Sequence, residues 1–152
     1  MAAKIEITEE CSAALNKVLS YELHISDAYL SLAYNSMEES EEPNFSAFFE
    51  EQANVKREHG KEFLEYIGKY ANKICLPVFK RPELDYWGTG ISALEYALAL
   101  ENELTTLLME LKTTASDKEE QDILEFTNKY LEEQKKSTET LEDHIEYCML
   151  DP

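Results

Sequence analysis

Apolar side chains recur along most of this chain at alternating steps of four and three residues, the period of a helix with one buried face. The first such stripe carries Cys11, Leu15, Val18, Ile25, Tyr29 and Leu32. The second carries Phe45, Phe49, Phe63, Tyr66 and Tyr70, and the third Leu94, Leu98 (or Ala97), Leu104 and Leu108. The fourth carries Ile123, Tyr130, Leu141 and Cys148. Together they predict four helices, over residues 8–37, 44–72, 89–115 and 117–149. Strand-like alternation is almost absent. Thr8 ahead of Glu9 and Glu10 suits a helix start, because acidic residues sit well at the positive end of the helix dipole. The run Glu38–Glu42 and Pro43 break the chain, and Asn44 can cap the second helix. The third begins after Gly88, and the fourth near Ser116 or Asp117.

The links predict the topology. The first and second helices, and the third and fourth, are joined by short connections, which make antiparallel neighbours. The link from Lys73 to Gly88 is different: it holds two prolines and the apolar run ICLPVF. Fully extended, it reaches about 53 Å. A helix of the predicted length spans about 42 Å. The link can therefore run the length of the bundle and leave the second and third helices parallel. The fold class expected is all-α, a four-helix bundle with one long crossover.

Composition narrows the class further. A chain of 152 residues is large enough to bury its own core, and a single domain over residues 1–152 is expected. The formal charge of -18, from 32 acidic and 14 basic residues, excludes nucleic acid and anionic membrane surfaces as natural partners, since both need basic patches. It favours solubility and attraction of cations. Cys11, Cys75 and Cys148 are odd in number and widely spaced, so reduced thiols in the cytoplasm are expected rather than a disulfide framework. The start MAAKIEITEE has no apolar secretory segment, and no apolar run is long enough to span a membrane. With four glycines and no Gly-rich loop before a helix, a phosphate-cradling nucleotide site is not expected.

The chemistry lies where the stripes are interrupted. Near mid-length, Glu22 interrupts the first, Gln52, Lys56 and His59 the second, Glu101 the third and Gln134 the fourth. Burying one unpaired carboxylate costs several kcal/mol or shifts its pKa until it is neutral. Polar groups on all four helices at one height therefore imply mutual compensation, by a metal, a salt bridge or both. Lys56 is the discordant member. A protonated lysine has three donors and no lone pair, so it cannot ligate a cation and repels one.

The segments YELHISDAYLSLAY, FFEEQANVKREHGKEF, ALALENELTTLLMELK and YLEEQKKSTETLEDH resemble ferritin over nearly the whole chain, most nearly the animal heavy-type subunits. Ferritin-like folds are themselves a known example of a bundle with one crossover and a di-iron carboxylate site. The resemblance implies that Glu22, His59 and Glu101 correspond to iron ligands, with Tyr29 beside the centre and Gln134 holding a water near the second iron. Where ferritins have Glu-x-x-His on the second helix, this chain has Lys56-Arg57-Glu58-His59. In lacking the bridging glutamate it resembles light-type subunits, which have no ferroxidase activity; His59 sets it apart from them. Glu58 matches a mineral-nucleating position, while the neighbouring matches are Val55 and Lys61. Glu119, Glu120, Asp122 and Glu125 are available near the start of the fourth helix for an ion channel, or as plain solvated acids.

These readings lead to one main expectation and two rivals. The main one is a cytoplasmic iron-storage subunit with an impaired or lost ferroxidase centre, in which Lys56 bridges Glu22 and Glu101 and iron is held weakly at a single site. By resemblance it would assemble into a shell of about 24 subunits, homomeric or mixed with heavy-type ferritin subunits, although the chain stops at Pro152, where ferritins continue into a fifth helix. The rivals are an active ferroxidase with a remodelled centre, and a structural or interaction bundle without iron handling.

Overall fold

The computed structural model describes residues 7–39, 43–70 and 90–150. Four helices account for almost all of them: α1 (Glu9–Glu39), α2 (Pro43–Ile67), α3 (Gly90–Asp117) and α4 (Gln121–Leu150). The link 73–88 with Cys75, and the packing of Phe45 and Cys148, lie outside the described residues.

Helix ends follow from local chemistry. Thr8 caps α1, its Oγ1 accepting the amide of Cys11 at 3.2 Å, with Glu9 and Glu10 in the first turn. The helix α2 opens on Pro43 itself, whose fixed φ and missing N–H suit a first helical position, so Asn44 lies inside the helix and not at its cap. It also ends earlier than the predicted residue 72. The amide of Gly68 still reaches Leu64 O at 3.0 Å, but Lys69 and Tyr70 bond to Tyr66 O at 3.1 Å and Ile67 O at 3.0 Å. These are tightened last-turn bonds.

A further difference from the sequence reading is at α4, expected from residue 117 and found from Gln121. Residues 118–120 belong to the turn that closes α3. The amide of Glu120 bonds to Ala115 O at 2.9 Å and that of Lys118 to Thr114 O at 3.0 Å, while Glu119 takes φ 54°. This left-handed position usually falls to glycine, and with a glutamate there the turn left no glycine signal in the sequence. Glu120 then accepts the amide of Thr8 at 3.0 Å through Oε1, fastening the start of α1 to the α3–α4 turn.

Contacts between helices run in opposite residue order. Across α1 and α2, Ser26 Oγ donates to Ala53 O at 2.7 Å and the rings of Tyr29 and Phe49 lie 6.1 Å apart. Lys17 meets Glu110 at 4.0 Å while Tyr29 meets Glu101 at 3.2 Å, so α1 and α3 are antiparallel too. Phe48 faces His144, and Phe63 faces Phe126, at 4.7 and 4.8 Å, which sets α2 antiparallel to α4. Both α2 and α3 oppose α1, so they are parallel to each other, and the end of α2 and the start of α3 sit at opposite ends of the bundle.

The stripes are the core. Cys11, Leu15, Val18, Ile25, Tyr29 and Leu32 are buried, as are Phe49, Phe63, Tyr66, Tyr70, Leu94, Leu104, Leu108, Ile123, Tyr130 and Leu141. Each large aliphatic or aromatic among them contributes about 1.5–3 kcal/mol by leaving water. Of the two options on α3, Ala97 is fully buried and Leu98 only partly. At Gly60 an added Cβ would stand 2.8 Å from Leu23 Cδ2, so the lack of a side chain lets α1 and α2 approach beside His59. No helix among the described residues is long and apolar enough to cross a membrane.

Candidate functional site

The interruptions in the four stripes meet in one layer. Glu22, Lys56, Glu101 and Gln134 are all buried, with Lys56 and Glu101 at 0% exposure. The layer has two unlike halves.

In the first half, Glu101 of α3 is fully engaged. The ammonium of Lys56 lies 3.0 Å from its Oε2. Gln134 Nε2 donates to the same oxygen at 2.8 Å and to the Glu101 backbone carbonyl at 2.8 Å. Tyr29 donates its phenol to Oε1 at 3.2 Å, and Lys56 also donates to Gln134 Oε1 at 3.2 Å. Thus α1, α2, α3 and α4 each place one group in a single network. Burial, then the Glu101 charge, pushes the Tyr29 phenol well above its ordinary value, so it acts as a hydrogen-bond donor at neutral pH.

The second half is underfilled. Glu22 of α1 has Oε1 without a hydrogen-bond partner, and its Oε2 lies 3.8 Å from His59 Nδ1. Burial raises the Glu22 pKa well above the carboxylate range. The Lys56 charge opposes that shift, and the charges of Glu62, Glu101 and Glu133 add to it. The expected bridge across two carboxylates is therefore one-sided: Lys56 pairs with Glu101, and Glu22 has the His59 ring at 3.8 Å. One ammonium lies along one rotamer, and the antiparallel register of α2 against α4 also gives it Gln134. Burial and the Lys56 charge lower the His59 pKa, so its imidazole is neutral at neutral pH and keeps one lone pair.

Two acids that no stripe singled out border this half. Glu133 Oε2 lies 2.9 Å from His59 Nε2, and it carries no hydrogen bond. Glu62 accepts the phenol of Tyr130 and has Lys129 at 3.8 Å. Both are half-exposed and off the apolar stripes, so periodicity could not find them. Glu133 was findable only as the neighbour of Gln134 in an antiparallel α2–α4 register.

The other expected positions lie apart from the layer. Glu58 is exposed and pairs with Lys61 at 3.4 Å. Glu120 fastens α1. Asp122 accepts the phenols of Tyr66 and Tyr70, each at 2.7 Å, and those bonds hold its carboxyl below the usual range.

Chemically, the first half is a satisfied ion-pair network with no lone pair left over for a cation at Lys56 and with both Glu101 oxygens in use. The second half offers carboxylate oxygen and imidazole nitrogen, a donor set suited to first-row divalent metals. Among the described residues, no three His, Cys, Asp or Glu side chains already converge as a metal site.

The ferritin-like domain matches residues 12–150 of this chain. The chain is 36% identical over 138 residues to a middle-subunit ferritin of Salmo salar, covering 90% of this chain and 78% of that protein. It is equally 36% identical over 138 residues to the soma ferritin of Lymnaea stagnalis, covering 90% and 79%. A middle-subunit ferritin of Aquarana catesbeiana is 34% identical over 138 residues, covering 90% and 78%.

Proposed function

The chain belongs to the ferritin family, and we propose that it is an iron-storing shell subunit whose two-metal oxidation centre has been replaced by a buried ion pair. The observation that carries this reading is the 3.0 Å contact of Lys56 with Glu101 at zero exposure of both. A bridging carboxylate would hold two iron(II) ions together and offset part of their charge, so that dioxygen meets two electrons at one site. An ammonium there supplies no ligand and occupies Glu101, which leaves Glu22 and His59 as a weak site for one cation.

Iron is the cargo in this reading. Its oxidation is left to heavy-type partner subunits or to the growing mineral surface, and the shell, the cytoplasmic location and the single domain over residues 1–152 belong to the same proposal. Glu58 is the one acid left at the nucleating position, and its pairing with Lys61 weakens it for that role. A freely swinging Lys56, which a working ferroxidase would need, is disfavoured by its contacts with both Glu101 and Gln134.

The test is oxygen consumption after ferrous iron is added to the purified chain, beside a Lys56→Glu variant. The variant is expected to consume oxygen at least about tenfold faster, equivalent to about 1.4 kcal/mol in the barrier. Equal rates would sink the non-catalytic reading. Mass under native conditions decides assembly: a shell is expected, and a monomer or dimer would favour a bundle without storage.

A further inference from the structure

Glu22 and Glu133 flank the same imidazole, Glu22 Oε2 on the Nδ1 side and Glu133 Oε2 on the Nε2 side. Each carboxylate has a buried oxygen without a hydrogen bond, Glu22 Oε1 and Glu133 Oε2. An orphaned anionic oxygen in a packed layer requires a partner such as a proton, a water or a cation. The two sides of His59 differ in a way that separates their roles. On the Glu133 side, nitrogen and oxygen are 2.9 Å apart, which is hydrogen-bond distance and too close for an ion between them. On the Glu22 side they are 3.8 Å apart. That is too long for a hydrogen bond. It is also within the span of about 4.3 Å that two metal–ligand bonds of about 2.0–2.2 Å can bridge.

We propose that Glu133 is a positioning residue for His59: it accepts a hydrogen bond from Nε2–H, so that the Nδ1 lone pair faces Glu22 and one divalent cation is held between the two. This rests on the reading above, in which Glu22 and His59 retain a single cation site. Imidazoles that ligate metals commonly give their other N–H to a carboxylate, which fixes the tautomer and raises ligand basicity. Glu133 supplies that carboxylate from α4, with its Oε2 at 2.9 Å from Nε2. The cation is a first-row divalent ion accepting mixed nitrogen and oxygen ligands, with water completing its shell. Lys56 beside Glu101 repels a second cation, which limits the site to one. Glu62 adds negative charge nearby while bound to the Tyr130 phenol, offsetting the ammonium's field at the site.

The test uses the full chain and two readouts. Nitrogen NMR of the His59 ring, assigned by its loss in His59→Gln, reads the tautomer in metal-free protein at mildly alkaline pH. The wild type is expected to carry the proton on Nε2. Glu133→Ala should give a mixture, and Glu133→Gln, whose amide oxygen still accepts, should restore Nε2–H. Cobalt(II) titration followed by its visible bands reads the site. Its affinity is expected to fall about 10- to 100-fold in Glu133→Ala and less in Glu133→Gln, with circular dichroism confirming that this half-exposed position leaves the helices intact. A wild-type proton on Nδ1, or wild-type cobalt affinity in Glu133→Ala, overturns the role of Glu133 and leaves the Glu22–His59 site standing. If the wild type shows no cobalt binding that Glu22→Gln removes, the single-site reading itself is overturned.

Discussion

Glu101 and Glu22 are both glutamates, both buried, on antiparallel helices at the same level of the bundle, and they live in opposite circumstances. Every lone pair that Glu101 needs to satisfy is met: Lys56, Gln134 and Tyr29 surround it. Glu22 has a distant imidazole and an oxygen with no partner. Burial alone therefore does not decide the state of a carboxylate. The position of one ammonium does, and a single lysine divides the polar layer into a satisfied half and an underfilled half.

The strongest way to break this comparison is to remove the ammonium. Lys56→Met should cost about 3–5 kcal/mol of stability in metal-free buffer, because it leaves Glu101 buried without its counter-charge. Urea unfolding measures this, and an unchanged midpoint would mean that the pair does not hold Glu101. Replacing both partners sharpens the result. Lys56→Met with Glu101→Met should recover most of that loss, since buried pairs are often neutral against apolar residues of similar volume.

On the other side, Glu22→Gln should stabilise the metal-free chain at neutral pH by about 1–2 kcal/mol, the scale of relieving an unsatisfied buried group. The sign follows from the raised pKa. The stability linked to Glu22 is fully present below its ordinary value of 4.5 and is lost as pH rises through the raised folded-state value. The gain from Glu22→Gln should therefore grow with pH and vanish in acid. A gain independent of pH would show that Glu22 is not a strained carboxyl. The smallest effect is at the edge of the satisfied half: Tyr29→Phe should cost about 1 kcal/mol and leave the pH dependence assigned to Glu22 in place.

Much of this was legible in advance because helical periodicity reports burial directly. Every position read on the α1 stripe, Glu22 included, is buried. Lys56 and Gln134 were visible for the same reason, as polar residues where the period demands apolar ones. What escaped were features set by geometry between helices or by backbone conformation. The choice of Glu101 over Glu22 by the ammonium depends on a rotamer. Glu133 reaches His59 from a half-exposed position that no stripe marks. The α3–α4 turn places Glu119 at positive φ, so the usual glycine was absent and α4 was expected four residues too early.

The ion pair also fixes an order of events as the chain is made. Glu101 lies 45 residues after Lys56 (101 minus 56), so at about 5–20 residues per second the ribosome takes about 2–9 s to supply it. Until then a nascent α1–α2 hairpin holds an ammonium whose final partner does not exist. That layer of the hairpin cannot close in its finished form before α3 emerges.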